Sequence, residues 1–465
     1  MENENATTPF EMRLSEVPSM PQPQLELSYA TCIPSNGGTF TANQEVRIPL
    51  NIPSECFADL KRAYLKFNFK NTSGQAQFLD PLVGGVACID NWRVVGGTGA
   101  LLEEVIHYNN YSAVLNANKN KDILESREHE MIGAGIDSNP LGGSLWKTGE
   151  TEAEIQKTGI TELANGATRT ITHRPNSAVF NADRYMPLGY TQGTTYVSIT
   201  LSANETASMV ANDKGGGTAT GYEVSNWELH VPILKPGPEF AAMFRSAMGS
   251  GVPIQIHSVG AQNTQQSLTA GGTGGAQTLT FSTRKRSVKS IITSLRVNSA
   301  ITLALANSVS SFVNCAISEY NYSVGGVRIP AQQIKCSATD KGELLSNTQL
   351  ALGYYSSDLR GLDNKMLSGD LSTTASVFKQ DSTYFRSAAD DKAGKASRCM
   401  FAIDLETYNA AYAGRNLSGQ GLPLVLHCQT GDGANNADAV LLDCYVIHDT
   451  MFMLDGATGV IQANS

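Results

Sequence analysis

No uninterrupted apolar run approaches the roughly 18 residues that a bilayer-crossing helix needs, so no membrane insertion is expected. The opening "MENENATT" lacks a basic n-region and an apolar h-region, which argues against a secretory signal peptide. The eight cysteines (Cys32, Cys56, Cys88, Cys315, Cys336, Cys399, Cys428, Cys444) include no C-x-x-C pair and no zinc-finger spacing, so reduced, mostly buried thiols made in a cytosol-like compartment are expected. A formal charge of -9 is mild for 465 residues and argues against a protein whose main surface binds nucleic acid, though a local basic patch stays open. With 43 Gly and 17 Pro the chain is neither collagen-like nor broadly disordered, and its 41% hydrophobic content suffices for two or three cores.

Catalytic grammar is also missing. There is no G-x-S-x-G elbow, no P-loop, no H-E-x-x-H and no G-x-G-x-x-G between a strand and a helix. One E-x-x-H occurs at Glu104 to His107, and Glu125 precedes His129 by one helical turn. A di-iron site needs two E-x-x-H motifs and further glutamates on facing helices, so a polar helix surface with an i,i+4 contact from Glu125 to His129 is the expected reading. His448 and Asp449 are adjacent, and neighbours on a strand point to opposite faces, so they cannot serve each other as base and orienting carboxylate; a turn or ladder pair is expected. A Ser, a His and an Asp scattered in the sequence could still converge in space. The expectation is no catalytic residue, no cofactor and no metal, hence no enzyme. The run Arg284, Lys285, Arg286, Lys289 is open to nonspecific phosphate contact, but reads more readily as a solvated strand end or an intersubunit ion-pair surface. The glycine-rich stretches beginning at Lys214 and Thr269 read as surface loops, since no helix signal follows them.

What is abundant is period-two alternation. Val46, Ile48, Leu50 and Ile52 share one face, as do Leu65, Phe67 and Phe69, with Lys66, Asn68 and Lys70 opposite. Val197, Ile199 and Leu201 alternate likewise. Tyr222, Val224, Leu229, Val231 and Ile233 do so with one register change near Ser225-Asn226, where a bulge is expected. Between two such β-rich halves, "KPGPEFAAMFRSAMGSG" carries helix start and stop signals, with Phe240, Met243, Phe244 and Met248 on one face. Each half has one helical excursion, around "HYNNYSAVLNANKNKDILESREHEM" and "KGELLSNTQLALGYY", and ends on a long strand. The expected architecture is all-β with short helical excursions: an extended arm over 1–24, a first jelly roll over 25–235, a helical connector over 236–251, and a second jelly roll with C-terminal tail over 252–465. In "YNYSVGGVRIPAQQI" the alternation breaks at Gly325-Gly326, and Pro330 is expected to end the ladder.

The order of "RAYLKFNF", "ACIDNWRVVGGTGALLEEVIHYNNYSAVL", "DRYMPLGY", "FSTRKRSVKSIITSLR", "EYNYSVGGVRIPAQQI", "MFAIDLETYN" and "YVIHDTMFMLDGATGVI" resembles the double jelly-roll major capsid proteins of the tectivirus–adenovirus lineage, most closely those of Polinton-like viruses and virophages. The resemblance spans roughly residues 40–460. It implies pseudo-hexameric trimers that tile the icosahedral shell of a DNA virus, a virion protein assembled inside the host cell. The implied partners are further copies of the chain, penton and minor capsid proteins, and packaged DNA through nonspecific contact. The arm at 1–24 would lie inward. It also implies that Tyr320 to Ile334 bends over a sandwich corner into a helix-bearing excursion, and that Asp449 and Asp455-Gly456 are turn or strand-cap residues. Because jelly rolls also bind sugars, the alternative is a carbohydrate-binding tandem β-sandwich, although Trp92, Trp146 and Trp227 are few for an aromatic platform.

Overall fold

The computed structural model describes residues 25–80, 82–119, 123–134, 162–207, 209–210, 220–250, 253–268, 275–297, 309, 312, 317–336, 342–353, 400–406, 412–419, 423–430 and 440–465. The 1–24 arm, residues 214–219 and 269–274 of the glycine-rich stretches, Trp146, Cys315 and Cys399 lie outside them.

Alternating apolar residues fold each half into two layers of strands. In the first half these are β1 (Leu25–Cys32), β2 (Glu45–Pro49), β3 (Tyr64–Asn71), β4 (Ile89–Val95), β5 (Leu101–Ile106), β6 (Thr168–His173), β7 (Tyr196–Leu201) and β8 (Tyr222–Pro236). In the second they are β9 (Ile254–Leu268), β10 (Ala276–Phe281), β11 (Val288–Val297), β12 (Ile317–Val324), β13 (Val327–Lys335), β14 (Met400–Asp404), β15 (Leu424–Thr430) and β16 (Val440–Leu454). Helix α1 (Tyr108–Ala117) lies between β5 and β6, α2 (Pro238–Gly249) joins the halves, and α3 (Gly342–Leu352) lies between β13 and β14.

The first half pairs its main strands as β1-β8-β3-β6 and β2-β7-β4-β5; the short segments Thr39–Thr41 and Phe57–Ala58 also pair with β8, and Gln77–Phe78 forms a small third sheet with Glu162–Leu163 and Met209–Val210. Adding eight to every number reproduces the sheets of the second half, β9-β16-β11-β14 and β10-β15-β12-β13. This repeated antiparallel wiring makes each half a jelly roll, so the fold is an all-β double jelly roll with short helical excursions. The excursions recur at the same place, since α1 and α3 each follow the fifth strand of their roll. Residues 124–132 add a further short helical stretch after α1, and Ile461–Asn464 adds a strand to the edge of β16.

The alternation read from the sequence sorts the side chains as expected. Val46 and Ile48, then Leu65, Phe67 and Phe69, then Val197, Ile199 and Leu201 are all buried. Phe67 stacks on Trp227 at 4.3 Å and Phe69 on Tyr222 at 5.3 Å, so the first core is built on aromatic pairs between neighbouring strands β3 and β8. The expected bulge in β8 is present: the register against β3 shifts between Ser225 and Glu228, and Asn226 takes a φ of 52°.

Two expectations need correction. The face of α2 that groups Phe240, Met243, Phe244 and Met248 is not covered evenly: Met243 is exposed and Met248 buried, while Phe240 and Phe244 are half-buried and join Phe57 and Tyr190 in a ring cluster. Pro330 does not end a ladder. Gly325 and Gly326, at φ 58° and 84°, form a two-residue turn that closes the β12–β13 hairpin, with Val324 paired to Val327. Pro330 sits inside β13, where Tyr322 pairs Ile329 and Tyr320 pairs Ile334, so the strand bulges around the proline and then resumes. An edge strand tolerates this because its outer backbone groups need no ladder partner. Helix α3 follows the hairpin, as the helix-bearing excursion implies.

Candidate functional site at the seam of the two rolls

Strand β16 carries apolar residues on both faces, and each face has a different neighbour. Leu442, Cys444 and Val446 pack into the core of the second roll with Ile291 and Leu295. Tyr445 and Ile447, on the opposite face, join Ile292 and Ala402 in the core that continues into the first roll. A near-continuous apolar run in a strand signals burial on both faces, and here the second face is the seam between the rolls.

Helix α1 is the first roll's contribution. All ten of its residues are buried, including asparagines that a solvated helix would leave in water. Asn109 donates to the Ala87 carbonyl at 3.1 Å and Asn116 to the Leu82 carbonyl at 2.7 Å, which anchors the helix in its own roll. Across the seam, Asn110 donates to the Tyr445 hydroxyl at 2.9 Å, that hydroxyl donates to the His107 carbonyl at 3.2 Å, and Tyr111 stands 5.2 Å from Tyr445 ring to ring. Buried polar groups matched this way hold the two rolls in one register. Asn110 of the sequon Asn110-Tyr111-Ser112 is therefore inside the protein, and so is Asn71 of the other sequon.

A charged network lies at the same seam. Asp449 stands 2.6 Å from His257 Nε2, accepts the Ser287 hydroxyl and the Tyr412 backbone N–H at 3.0 Å, and has Lys289 Nζ at 3.8 Å. Lys289 is ion-paired with Glu406. Two sequence readings are overturned here. Asp449 pairs with Val259 in the ladder, as one of the two readings of His448-Asp449 has it, and it is a buried hub in mid-strand instead of the turn or cap residue that the resemblance implies, because cross-strand neighbours supply the charge that a buried carboxylate needs. The basic run is not one solvated patch: Lys289 is buried and paired, and Lys285 is half-buried and donates to the Ser465 hydroxyl at 2.7 Å, which leaves Arg284 and Arg286 exposed. The Asp455-Gly456 turn is as expected, with Asp455 accepting from Ala457 and Thr458.

A Ser, a His and an Asp thus do meet at the seam, but in the wrong order for nucleophilic catalysis. A triad places the imidazole between hydroxyl and carboxylate; here the Asp449 carboxylate is central and takes both the Ser287 hydroxyl and the His257 ring. His448 does not take part. Its ring faces the Asp449 carbonyl and Thr450, and burial pulls its pKa down to about 3.

Beside the network is a cavity of about 290 Å³ lined from both rolls by Leu101, Glu103, Gly260, Lys285, His448 and Ser465, among others. Glu103 accepts from the Ser177 hydroxyl and from the Ala178 and Val179 N–H groups, yet burial holds its pKa above the usual carboxylate range. Burial likewise lowers the Lys285 ammonium. Among the described residues no His, Cys, Asp and Glu cluster with metal-site geometry. The E-x-x-H lies at the end of a strand, where Glu104 pairs with Arg93 at 2.6 Å and His107 with Asp90 at 3.0 Å. His129 bonds the Ala134 carbonyl at 2.8 Å; the Glu125 side chain is outside the described residues. Trp92 and Trp227 are core residues, so neither can form a sugar-stacking platform.

Comparison with known proteins gives a fold-level answer. No family model matches the chain, and no curated protein matches it. Solved structures do. A chain of the PBCV-1 virus capsid is similar over 96% of this chain and 98% of its own, with a TM-score of 0.56 and 10% identity. A chain of the Sputnik virophage covers 94% and 88% at a TM-score of 0.53 and 11% identity. The Faustovirus major capsid protein covers 93% and 91% at 0.51 and 10%. The chain has their double jelly-roll fold. The likeness takes in both rolls, since it covers nearly the whole of each chain.

Proposed function

We propose that the chain is a major capsid protein, non-enzymatic, that self-assembles as pseudo-hexameric trimers into the icosahedral shell of a DNA virus. The observation that carries this reading is the pair of identically wired rolls joined through a buried seam, shared over nearly full length with the PBCV-1 and Faustovirus capsid chains. A rigid two-lobed subunit suits a shell because three copies give six similar lobes around one axis. The working units are the rolls at 25–235 and 252–465, linked by 236–251, with the 1–24 arm reaching neighbouring capsomers. Further partners would be penton and minor capsid proteins, and the exposed Arg284 and Arg286 supply a small surface for nonspecific contact with packaged DNA. The protein would be assembled in the host cell and reside in the virion, with kinship to Polinton-like viruses and virophages. Light scattering after size exclusion, with negative-stain microscopy of the same peak, tests this: compact six-lobed trimers or shells are expected, and a strictly monomeric protein at high concentration refutes it.

A further inference from the structure

The central place of Asp449, wrong for a triad, suits a carboxyl group that is itself attacked. Its two oxygens have different neighbours: Oδ1 stands 2.6 Å from His257 Nε2 and 3.8 Å from Lys289 Nζ, while Oδ2 accepts the Ser287 hydroxyl and the Tyr412 N–H at 3.0 Å. One oxygen therefore faces the amine and a group able to deliver a proton, and the other lies between two hydrogen-bond donors, as the oxyanion of an acyl transfer requires. Lys289 Nζ is held against the Glu406 carboxylate, and Asp404 fixes Glu406 by accepting its N–H at 2.9 Å.

The backbone is distorted where these groups converge. Lys289 is the extra residue of a bulge in β11, since Val288 pairs His448 and Ser290 pairs Ile447 with no residue of β16 between them. A bulge re-aims the side chain it carries. Tyr412 takes a φ of 59°, uncommon for a bulky residue, and its loop presses on the start of β11: Gly414 donates to the Ser287 hydroxyl oxygen at 3.1 Å, and a Cβ on Gly414 would meet the Val288 backbone at 2.6 Å. With that N–H accepted, the Ser287 hydroxyl proton is directed to Asp449.

The site is nearly dry. The side chains of Lys289, Glu406 and Asp449 are 5%, 8% and 0% exposed. Burying ions is costly even when they are paired, and exchanging an ammonium and a carboxylate for one neutral amide removes that cost. In bulk water the opposite direction, hydrolysis, is favoured; here water is scarce and the two groups are held side by side at high effective concentration. His257, 23% exposed, is where the cluster meets solvent.

We propose that Lys289 and Asp449 condense, once per molecule, to an isopeptide bond that ties β11 to β16. Glu406 takes a proton from the Lys289 ammonium, and the neutral amine attacks Asp449 Cγ. The C–N bond forms and the bond from Cγ to Oδ1 breaks, while Oδ2 carries the developing charge toward Ser287 and Tyr412. Of the three ammonium protons one stays on the amide nitrogen; two protons reach Oδ1, helped by His257, and it leaves as water. One ammonium and one carboxylate become one amide and one water, with Glu406 and His257 returned to their starting states and no further reactant consumed. The reaction lies within one chain, so it is independent of the assembly reading.

The test is the intact mass of the denatured full-length protein. The major species is expected to be lighter than its sequence by one water molecule, with protease digestion yielding a branched product that joins the Lys289 peptide to the Asp449 peptide and no cleavage by trypsin after Lys289. Glu406→Gln, which keeps a hydrogen-bond partner but no base, is expected at full sequence mass. A parent protein at its full sequence mass overturns the proposal. So does a water loss that maps elsewhere, as to Asp455-Gly456, where an Asp-Gly step can close on its own backbone, and a Glu406→Gln protein crosslinked like the parent removes Glu406 as the base. Should Glu406→Gln fail to fold, the mass and peptide map of the parent decide alone.

Discussion

The carboxylate of Asp449 lies 2.6 Å from the His257 imidazole, although the two residues are 192 positions apart and sit two registers off on neighbouring strands β16 and β9. The same carboxylate takes the hydroxyl of Ser287, and the His257 carbonyl accepts the N–H of Asp183 at 3.0 Å, which links the network to the first roll. Asp449 therefore organises the seam. Asp449→Asn is expected to lower the free energy of unfolding by about 3 kcal/mol, because Lys289 and His257 then face a neutral amide inside the protein. Denaturant melts of both proteins measure this, and an unchanged midpoint would show that the carboxylate is not structural.

Tyr445 offers a gentler probe of the same seam. Tyr445→Phe keeps the ring but leaves the Asn110 amide and the His107 carbonyl without that partner, at an expected cost of about 1–3 kcal/mol. Limited proteolysis should then cut between the rolls sooner than in the parent protein. Equal cutting rates would place the strength of the seam in its apolar contacts alone.

Acid should loosen the fold through two buried histidines. Burial depresses the pKa of His173 to about 4 and that of His448 to about 3, from 6.5 in each case. A depressed pKa contributes stability that is fully present above pH 6.5 and is lost as pH falls toward these values, by about 1.4 kcal/mol per pH unit for each histidine. Glu103 has the opposite sign: its raised pKa favours the fold at low pH, and this contribution fades as pH rises. Chemical unfolding between pH 7 and pH 4 should show falling stability, and His448→Gln should flatten the slope.

The hairpin turn tests backbone strain in isolation. Gly326 has a φ of +84° and nothing within 4 Å of where a Cβ would sit, so Gly326→Ala introduces only the left-handed penalty, about 1–2 kcal/mol. Gly326→Asn should cost less, since asparagine tolerates that region. Thermal melts that rank alanine above asparagine in stability would contradict this reading of the turn.

Arg284 and Arg286 should be separable from Lys289. Reversing both arginines to Glu should leave melting and assembly unchanged, while the salt slope of any DNA retention falls by about 2. Lys289→Glu should instead destabilise the fold, because it sets a third carboxylate beside Glu406 and Asp449. Filter binding at several salt concentrations, paired with melting curves, distinguishes the two.

Much of this was legible in the chain. Period-two alternation announced β2, β3, β7, β8 and β12, the glycine and proline signals bounded α2, and the doubled inventory announced two rolls. Alternation is written residue by residue, because successive side chains on a strand point to opposite faces whatever lies beyond it. The limits appear where one residue has two readings. Lys289 looked solvated among basic neighbours, and Asp449 looked like a cap; both are buried because Glu406 and His257 arrive from elsewhere in the chain. Met243 has the right helical spacing for the core yet faces solvent, since the width of the covered stripe on α2 depends on what packs against it. The sequence by itself determined the strands, their inward faces and the repetition of the roll. The tertiary structure alone decided that α1 is buried, that β16 serves two cores and that the charges of the seam are matched. Those outcomes depend on residues such as Asn110 and Tyr445, 335 positions apart, whose meeting no local pattern encodes.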